Sequence, residues 1–293
     1  MKLGTEGLIS TLDREGMSRH KKIDYSLLKK LENCAGSPFY LLDLEKLRDN
    51  YRKIQQAFQR KYEKFIIGYS YKTNYVPMLC KELMKLGAYA EVVSRMEYNL
   101  ALKIGNPPEK IIFNGPVKTR EDIFLALENK SIVNLDSFYE IDYVKDFAKL
   151  NKGDEIKVGL RVSFALPEEC LQEGYSVSRF GFCAENGSFE KALQELAEID
   201  KIKVHCLHCH FSTRERKVET YQRITERLCR LASEYVAETI EFIDVGGGIY
   251  GELPETFQQK APTFDEYAEA IGGTVQRWFG SSPKKPVLVL EPG

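Results

Sequence analysis

The sequence lacks any imbalance of charge. Its 293 residues carry 42 Lys and Arg against 43 Asp and Glu, a formal net charge of −1. A surface without an excess of one sign gives no electrostatic indication of a nucleic-acid or anionic-membrane partner. Long apolar runs are also missing: no stretch approaches the roughly 20 residues of a membrane span, and Met1–His20 has no signal-peptide core. These absences predict a cytoplasmic protein that binds neither nucleic acid nor membrane.

A disulfide framework is missing as well. The 7 cysteines are scattered and odd in number, which fits reduced thiols in a reducing compartment. The segment His205–His210 alternates His and Cys and is the strongest candidate for a metal site. In a strand, however, alternate residues of that segment face opposite sides, whereas a closed zinc site needs four convergent ligands. We therefore predict no bound metal.

An apolar and aromatic run, Phe65–Tyr71, is followed directly by Lys72. Lysine is almost never buried without a partner, and an amine held at the end of a core strand loses water from its ammonium form. Such an amine can attack an aldehyde. In the alternative interpretation the lysine stem lies along the strand while the charged group reaches water.

Strand patterns alternate with helical patterns along most of the chain. Amphipathic segments lie in each of the seven gaps between eight predicted strands: Phe65–Tyr71, Tyr89–Ser94, Lys110–Asn114, Ser131–Asp136, Lys157–Phe164, Lys203–Phe211, Thr239–Val245 and Pro286–Glu291. This alternation predicts parallel strands joined by crossover helices, and eight such strands close a (β/α)8 barrel. A doubly wound open sheet is the alternative, but its glycine fingerprint is missing after the first strand. Residues 1–37 do not follow the pattern and are predicted to form a leader before a barrel of residues 38–293.

Polar residues lie in or at the end of each predicted strand: Lys72, Glu91 with Ser94, Asn114, Asp136, Arg161, His208 with His210, Asp244 and Glu291. In a (β/α)8 barrel these positions converge on the C-terminal face, where active sites of this architecture lie. Any single one of them could instead be a helix cap. Polar residues at all eight strands together predict a site.

Three glycines, Gly246-Gly247-Gly248, follow the seventh predicted strand. They could form a plain tight turn, or a nest of backbone N–H groups that accepts a phosphate. A phosphate site and a reactive lysine together suggest a phosphorylated aldehyde, and pyridoxal 5′-phosphate (PLP) is the common cofactor of that kind. Glu291 could then pair with the ring nitrogen, His210 could pack on the ring, and Arg161 could orient an inner carboxylate or a ring oxygen.

Seven motifs occur in the order found in a known family: Tyr69–Asn74, Glu91–Ser94, Asn134–Ser137, Ser178–Gly181, Leu207–His210, Gly246–Gly248 and Glu291–Gly293. Over about Ser37 to Gly293 the chain resembles the fold-type III PLP-dependent decarboxylases, and within them the diaminopimelate decarboxylases. The resemblance implies an alanine racemase-like (β/α)8 barrel, PLP as cofactor, and decarboxylation of meso-diaminopimelate to lysine. It leaves open another basic amino acid (the ornithine, arginine, lysine or carboxynorspermidine type), and a non-catalytic PLP-binding homologue that docks on a decarboxylase.

The resemblance also implies roles for single residues. Lys72, His210 and Glu291 match the catalytic residues: the lysine that forms the Schiff base, the histidine stacked on the cofactor, and the acid at the pyridine nitrogen. Alanine racemases have an arginine at that nitrogen, so the acid favours decarboxylation. Further cofactor contacts are implied for Glu91, Arg161, Thr213, Gly246, Gly247 and Gly248, with Glu97 in support. Two departures stand out: Glu91 replaces the usual aspartate, and Ser212-Thr213 replaces a Gly-Ser pair.

Members of this family continue past the Glu-Pro-Gly motif into a C-terminal β domain, which supplies substrate-binding groups across a dimer interface. That domain is not part of this chain, which ends at Gly293. The resemblance therefore implies a homodimer for the full-length form, and we expect the chain alone to be incomplete as a catalyst.

Overall fold

The computed structural model describes residues 24–151, 153, 155–166, 178–211, 215–251, 253 and 261–293. The chain divides into two compact units, residues 1–43 and 44–293. In the described part of the first unit, helix α1 (Tyr25–Ala35) begins after Asp24, whose carboxylate accepts a 2.8 Å hydrogen bond from the Leu27 N–H. No residue of α1 is buried. The domain boundary at residue 37 stays a prediction.

The second unit is a closed barrel of eight parallel strands, as the sequence predicted. Its strands, together with one short additional strand, are β1 (Phe65–Ser70), β2 (Tyr89–Val92), β3 (Ile111–Phe113), β4 (Ile132–Leu135), β5 (Ile156–Ser163), β6 (Phe182–Cys183), β7 (Ile202–His208), β8 (Phe242–Asp244) and β9 (Val287–Leu290). β1 pairs with both β2 and β9, and β4 pairs with β5, which closes the ring. The two-residue β6 pairs only with the end of β5.

Helices lie between successive barrel strands. Helix α2 (Leu44–Gln59) precedes β1, and the seven gaps hold α3 (Pro77–Leu86), α4 (Arg95–Ile104), α5 (Arg120–Glu128), α6 (Phe138–Leu150), α7 (Ser188–Ala197), α8 (Val218–Tyr235) and α9 (Phe264–Phe279). The prediction of a helix in each gap is confirmed. Among the described residues, no helix is long and apolar enough to cross a membrane.

Local sequence explains where these helices begin and end. α5 starts with a capping box in which Thr119 and Asp122 each bond the other's backbone N–H, and α9 repeats this device with Thr263 and Glu266. α3 ends at Gly87, whose φ of 103° lies in the left-handed region that favours glycine. Helices defined in this way keep the βα loops in fixed places at the C-terminal end of the barrel.

Side chains of two kinds occupy the strands. A buried apolar cluster contains Ile112, Ile132, Cys206 and Val289, which come from four different strands. At or beside the C-terminal end of each of the eight barrel strands lies a buried polar residue: Ser70, Glu91, Asn114, Asn134, Arg161, His208, Asp244 and Glu291. We call these eight residues the polar ring. Polar groups removed from water require hydrogen-bond partners, so the ring is costly unless its members satisfy one another.

The strands are shorter than predicted, and this moves two candidate residues. β1 ends at Ser70, so Lys72 lies in a 3₁₀ turn (Tyr71–Thr73) and not at the end of the core strand. β7 ends at His208, so His210 lies in the loop that follows. Both residues remain at the C-terminal end of the barrel.

Candidate active site

Lys72 is half-exposed, and the expectation of a lysine buried at a strand end is wrong. Its side chain is 40% exposed, and Nζ lies 3.3 Å from Oε2 of the buried Glu91. The 3₁₀ turn follows the last residue of β1, so Lys72 lies beyond the strand. An amine that is anchored to a buried acid and reachable from solvent is in a position where an incoming aldehyde can meet it.

Glu91 is the acid beside this lysine. It is fully buried and accepts hydrogen bonds from Ser70 Oγ at 2.5 Å and from Asn114 Nδ2 at 3.3 Å, in addition to its contact with Lys72. Burial, and then the neighbouring Glu291 carboxylate, raise the pKa of Glu91 to about 7. Its charge is therefore sensitive to pH near neutrality.

Glu97 was predicted to support the site, and the structure places it at a helix start. Its carboxylate accepts a 2.7 Å hydrogen bond from the Val93 N–H, while Ser94 caps α4 through the Glu97 N–H. Burial raises the pKa of Glu97. The same device recurs two βα units later, where Glu140 accepts from the Asp136 N–H at 2.7 Å. A cofactor-supporting role for Glu97 stays a prediction.

Glu291 lies directly after β9, and its side chain is almost completely buried. Its Oε1 accepts a short hydrogen bond from Asn114 Nδ2, and its Oε2 lies 3.7 Å from Nε2 of His208. Burial and the positive charge of Arg161 hold the pKa of His208 well below its ordinary value, so this imidazole is neutral. Glu291 thus faces an amide donor and an uncharged ring.

Asp244 completes this side of the polar ring. Burial and the Glu291 carboxylate raise the pKa of Asp244 well above its ordinary value, which favours the protonated carboxyl. Donor atoms of His208, Asp244 and Glu291 lie within 4.8 Å of one another. Protonated Asp244 is a poor cation ligand, and Glu291 is already bonded to Asn114. We assign no metal site to this trio.

His210 and the glycine triplet lie against each other. Nδ1 of His210 accepts a 3.2 Å hydrogen bond from the Gly247 N–H, which places the ring proton on Nε2. Burial lowers the pKa of His210 to about 4, so the ring is neutral at pH 7. Packing of this flat, neutral imidazole on a cofactor ring stays a prediction.

The glycines are needed for close packing as well as for conformation. A Cβ on Gly247 would lie 2.0 Å from the Glu291 carbonyl oxygen, and one on Gly246 would lie 2.8 Å from Nδ1 of His210. Gly246 and Gly248 have φ values of 69° and 90°. The Gly246 N–H donates to Asp244 Oδ1 at 2.9 Å, and the Gly247 N–H is bonded to His210. Phosphate binding by the triplet stays a prediction, and it would have to share these two amides.

Arg161 is paired inside the protein. Nη1 donates to Asp136 Oδ2 at 3.1 Å, the other carboxylate oxygen of Asp136 accepts from the Gly181 N–H at 3.0 Å, and the guanidinium lies 4.8 Å from the centre of the Phe180 ring. This is the structural ion pair that an inward-facing arginine can form. Contact between Arg161 and a cofactor stays a prediction.

Sequence reasoning missed a second buried ion pair at this end of the barrel. Nζ of Lys118 lies 3.1 Å from Oε1 of Glu140, and both side chains have no exposed surface. Glu140 also accepts from the Asp136 N–H, so the pair connects to the Arg161–Asp136 contact. The sequence indicates this ion pair only weakly, because Lys118 lies in a loop and Glu140 lies within a helical pattern.

Asn134 was also missed as a site residue. It is the penultimate residue of β4, and it donates from Nδ2 to Asn114 Oδ1 at 2.7 Å. A buried amide inside an apolar strand pattern was the signal that could have identified it. Thr213 and Ser212, which were expected near the phosphate, lie outside the described residues.

The described side chains fit the cofactor that the sequence predicts. An accessible amine, a buried carboxylate, a neutral imidazole and a glycine turn with left-handed φ come together from the ends of four strands, β1, β9, β7 and β8. A larger residue in the turn would collide with Glu291 or His210, so glycines are required for the turn to pack this closely against both residues. These are the groups that PLP requires for its aldehyde, ring nitrogen, ring face and phosphate.

Comparison with known proteins agrees with this arrangement. Residues 44–293 match the family described as "Pyridoxal-dependent decarboxylase, pyridoxal binding domain". The chain is 31% identical to a diaminopimelate decarboxylase of Methanocaldococcus jannaschii, across 90% of this chain and 62% of the relative. It is 29% identical to a diaminopimelate decarboxylase of Staphylococcus aureus, across 91% of this chain and 63% of the relative.

Solved structures give the same result. The crystal structure of the M. jannaschii diaminopimelate decarboxylase matches with a TM-score of 0.75 at 28% identity, over 90% of this chain and 62% of that one. An arginine decarboxylase of Paramecium bursaria Chlorella virus shares the fold, with a TM-score of 0.71 at 20% identity. The chain thus spans a little over three fifths of the length of the relatives that it matches.

Proposed function

The chain belongs to the pyridoxal-dependent decarboxylases, with pyridoxal phosphate as the cofactor, and we propose that it takes part in the decarboxylation of an amino acid. The observation that carries this proposal is a connected set of side chains. Lys72 contacts Glu91, and Asn114 links Glu91 to Glu291. The amine that would bind the cofactor aldehyde and the acid that would face the ring nitrogen therefore belong to one connected set of contacts.

Bound PLP withdraws electrons through its ring from the carbon that loses the carboxylate. The residues of the chain prepare the place for it. Lys72 would hold the cofactor through its amine, and Glu91 keeps that amine in position. Glu291 would hold a proton on the ring nitrogen. His210, which is neutral, offers a flat surface that adds no competing charge, and Gly246–Gly248 would hold the phosphate.

For the substrate we propose meso-diaminopimelate, with lysine as the product. Support comes from the names of relatives that are 25–31% identical over about nine tenths of the chain. The family resemblance further supports a homodimer for the full-length form. Light scattering of the full-length form tests the oligomeric state, and a monomer at micromolar concentration would contradict the proposed homodimer.

Cofactor binding is tested with the full chain and PLP. We expect a visible absorbance band in the wild type, which is lost in Lys72→Ala. Reduction of the complex with borohydride, followed by peptide mapping, should locate the cofactor on Lys72. Lys64, at the opposite end of the barrel, is the matched control: Lys64→Ala should keep the band. Absence of a band in the wild type would overturn the proposal.

Because the chain alone is expected to be an incomplete catalyst, activity is tested with the full-length form, by release of carbon dioxide from meso-diaminopimelate, ornithine, lysine and arginine. Release from meso-diaminopimelate alone supports the proposed substrate, and faster release from another amino acid replaces it. Cofactor binding without release from any of the four would favour the non-catalytic alternative.

A further inference from the structure

Asn114 lies between the two acids of the site. Its side chain is almost fully buried, and Nδ2 contacts Oε1 of Glu91 at 3.3 Å and also Oε1 of Glu291. A side-chain amide nitrogen has two hydrogens, so Asn114 can donate one to each carboxylate. The two acids come from β2 and from the residue after β9, and among the described contacts this amide is the group that bonds both.

Asn134 fixes the orientation of the Asn114 amide. Nδ2 of Asn134 donates to Oδ1 of Asn114 at 2.7 Å. If Asn114 were flipped, its oxygen would face two carboxylate oxygens and its nitrogen would face another nitrogen. Both changes are repulsive, so Asn134 selects the orientation in which Asn114 donates to the acids.

Asn134 donates to Asn114 although its own amide oxygen accepts no hydrogen bond. Its Oδ1 is buried without a hydrogen-bond partner, which is energetically unfavourable. The oxygen occupies space left by Gly159, where an added Cβ would lie 1.7 Å away. A buried polar group left unpaired in a native structure calls for an explanation, and the orientation of Asn114 provides one.

Glu91 and Glu291 differ in their other partners. Glu91 is bonded to Ser70 and contacts Lys72, whereas Glu291 faces the neutral His208. Two buried carboxylates in one site repel each other, and the Glu291 charge does raise the pKa of Glu91. An N–H shared between them offsets part of this repulsion, because hydrogen bonds to ionised groups are the stronger kind.

We propose that Asn114 is a positioning residue whose amide, oriented by Asn134, holds Glu91 against Lys72 and Glu291 in place for the bound cofactor. The inference rests on the proposed function for its catalytic meaning. The contact itself exists without cofactor, so the two can be tested separately.

The first test uses the cofactor-free full chain with ¹³C-labelled glutamate carboxyl groups, titrated by NMR. In Asn114→Leu, which has similar size and no donor, the site carboxyl resonance that titrates near neutrality should move upward by about one to two pH units. Asn106→Leu is the matched control, because Asn106 is also a buried amide but bonds Tyr71 Oη and the Ala101 carbonyl. It should shift the resonance by less than about 0.3 units.

The second test uses the PLP-loaded protein. The pH midpoint of the visible absorbance should shift in Asn114→Leu and remain in Asn106→Leu, and PLP affinity should fall about 10-fold or more. Asn134→Ala retains Asn114 and removes the group that orients it, so it should give a smaller shift in the same direction. This variant keeps the inference testable if Asn114→Leu does not fold.

The inference is overturned if the carboxyl titration of Asn114→Leu, or of Asn134→Ala when the former does not fold, equals that of the wild type. It is also overturned if Asn106→Leu produces the same shift. Failure of the wild type to bind PLP would instead contradict the proposed function, and the cofactor-free titration would still decide the role of Asn114.

Discussion

The two ends of the barrel interior are built from the same strands but follow opposite rules. The buried cluster of Ile112, Ile132, Cys206 and Val289 is held by packing alone. Toward the C-terminal ends of those strands, the polar ring replaces packing with hydrogen bonds and buried charge. The fold tolerates the unfavourable burial of the polar ring because packing of the apolar cluster and of the helices supplies the stability.

Lys–Glu ion pairs occur at both ends of the barrel, but the pair at the N-terminal ends of the strands is exposed to solvent. Lys157 pairs with Glu241, and each side chain is 44% exposed. Lys118 pairs with Glu140 at the other end, with no exposed surface on either side chain. Water screens the first pair, whereas the second lies in a medium of low dielectric constant. Charge pairs at the two ends should therefore differ several-fold in their effect on stability.

The largest expected effect comes from breaking the buried pair. Lys118→Met leaves Glu140 as an uncompensated buried charge, so the free energy of unfolding should fall by about 3–5 kcal/mol, measured by urea denaturation. The double variant Lys118→Met/Glu140→Gln removes that charge and keeps an acceptor for the Asp136 N–H. It should recover at least half of the loss. A double variant no more stable than the single one would contradict this.

The next effect depends on pH and comes from Glu91. Its pKa is about 7 in the folded protein against a reference of 4.5, so the folded state binds more protons between these values. Stability conferred by this group is complete below pH 4.5 and is lost as the pH rises through 7. Relative to the wild type, Glu91→Gln should gain on the order of 3 kcal/mol between pH 4.5 and 8. Urea denaturation of the cofactor-free chain at several pH values measures it.

Glu241→Gln is the control for this pH dependence. The hydrogen bond with His205, and then Lys157, lower the pKa of Glu241 to about 2, which is the opposite direction. Stability from Glu241 is present above pH 4.5 and is lost as the pH falls through 2. Relative to the wild type, this variant should therefore lose stability as the pH rises from 2 to 4.5, the opposite sign to Glu91→Gln. A gain with rising pH over that range would contradict the assignment.

A smaller effect is expected in the apolar cluster. Ile132→Val removes one buried methylene group and should lower the free energy of unfolding by about 0.5–1.5 kcal/mol. Because no charge is involved, the loss should be equal at pH 5 and pH 8. The PLP absorbance band should also be unchanged. A pH-dependent loss of stability would show that the apolar cluster and the polar ring are energetically coupled.

The smallest effect is expected from Lys157→Met at the exposed end. An ion pair of this exposure contributes about 0.2–1 kcal/mol, and added salt should remove most of the difference from the wild type. Urea denaturation at low and high ionic strength measures it. A loss equal to that of Lys118→Met would abolish the contrast between the ends.

The sequence was sufficient for the barrel because the signals are local. Apolar runs, capping residues and glycines predicted eight strands and seven helices, and strand polarity placed Lys72, Glu91 and Glu291 at one end. It was not sufficient for the contacts within the polar ring. Asn114 meets Glu291 only because β9 closes onto β1, and the hydrogen bond depends on an amide orientation set by Asn134.

Two errors have the same origin. Lys72 was expected to be buried because its strand pattern continues to Tyr71, but the chain turns after Ser70 and lifts the lysine into a half-exposed position. The role of Lys118 was invisible because a loop lysine is ordinarily solvated. In both cases tertiary packing, and not local preference, decides the exposure of the side chain.

Pairing of β9 with β1 has a consequence for biosynthesis. Phe65 pairs with Leu288, so pairing of the first barrel strand is complete only after the last barrel strand has left the ribosome. Until then one edge of β1 and one edge of β8 are open, and Glu291 is not yet available to Asn114. The hydrogen bond between Asn114 and Glu291 therefore forms late, and a nascent chain that lacks β9 exposes two unpaired strand edges to its neighbours.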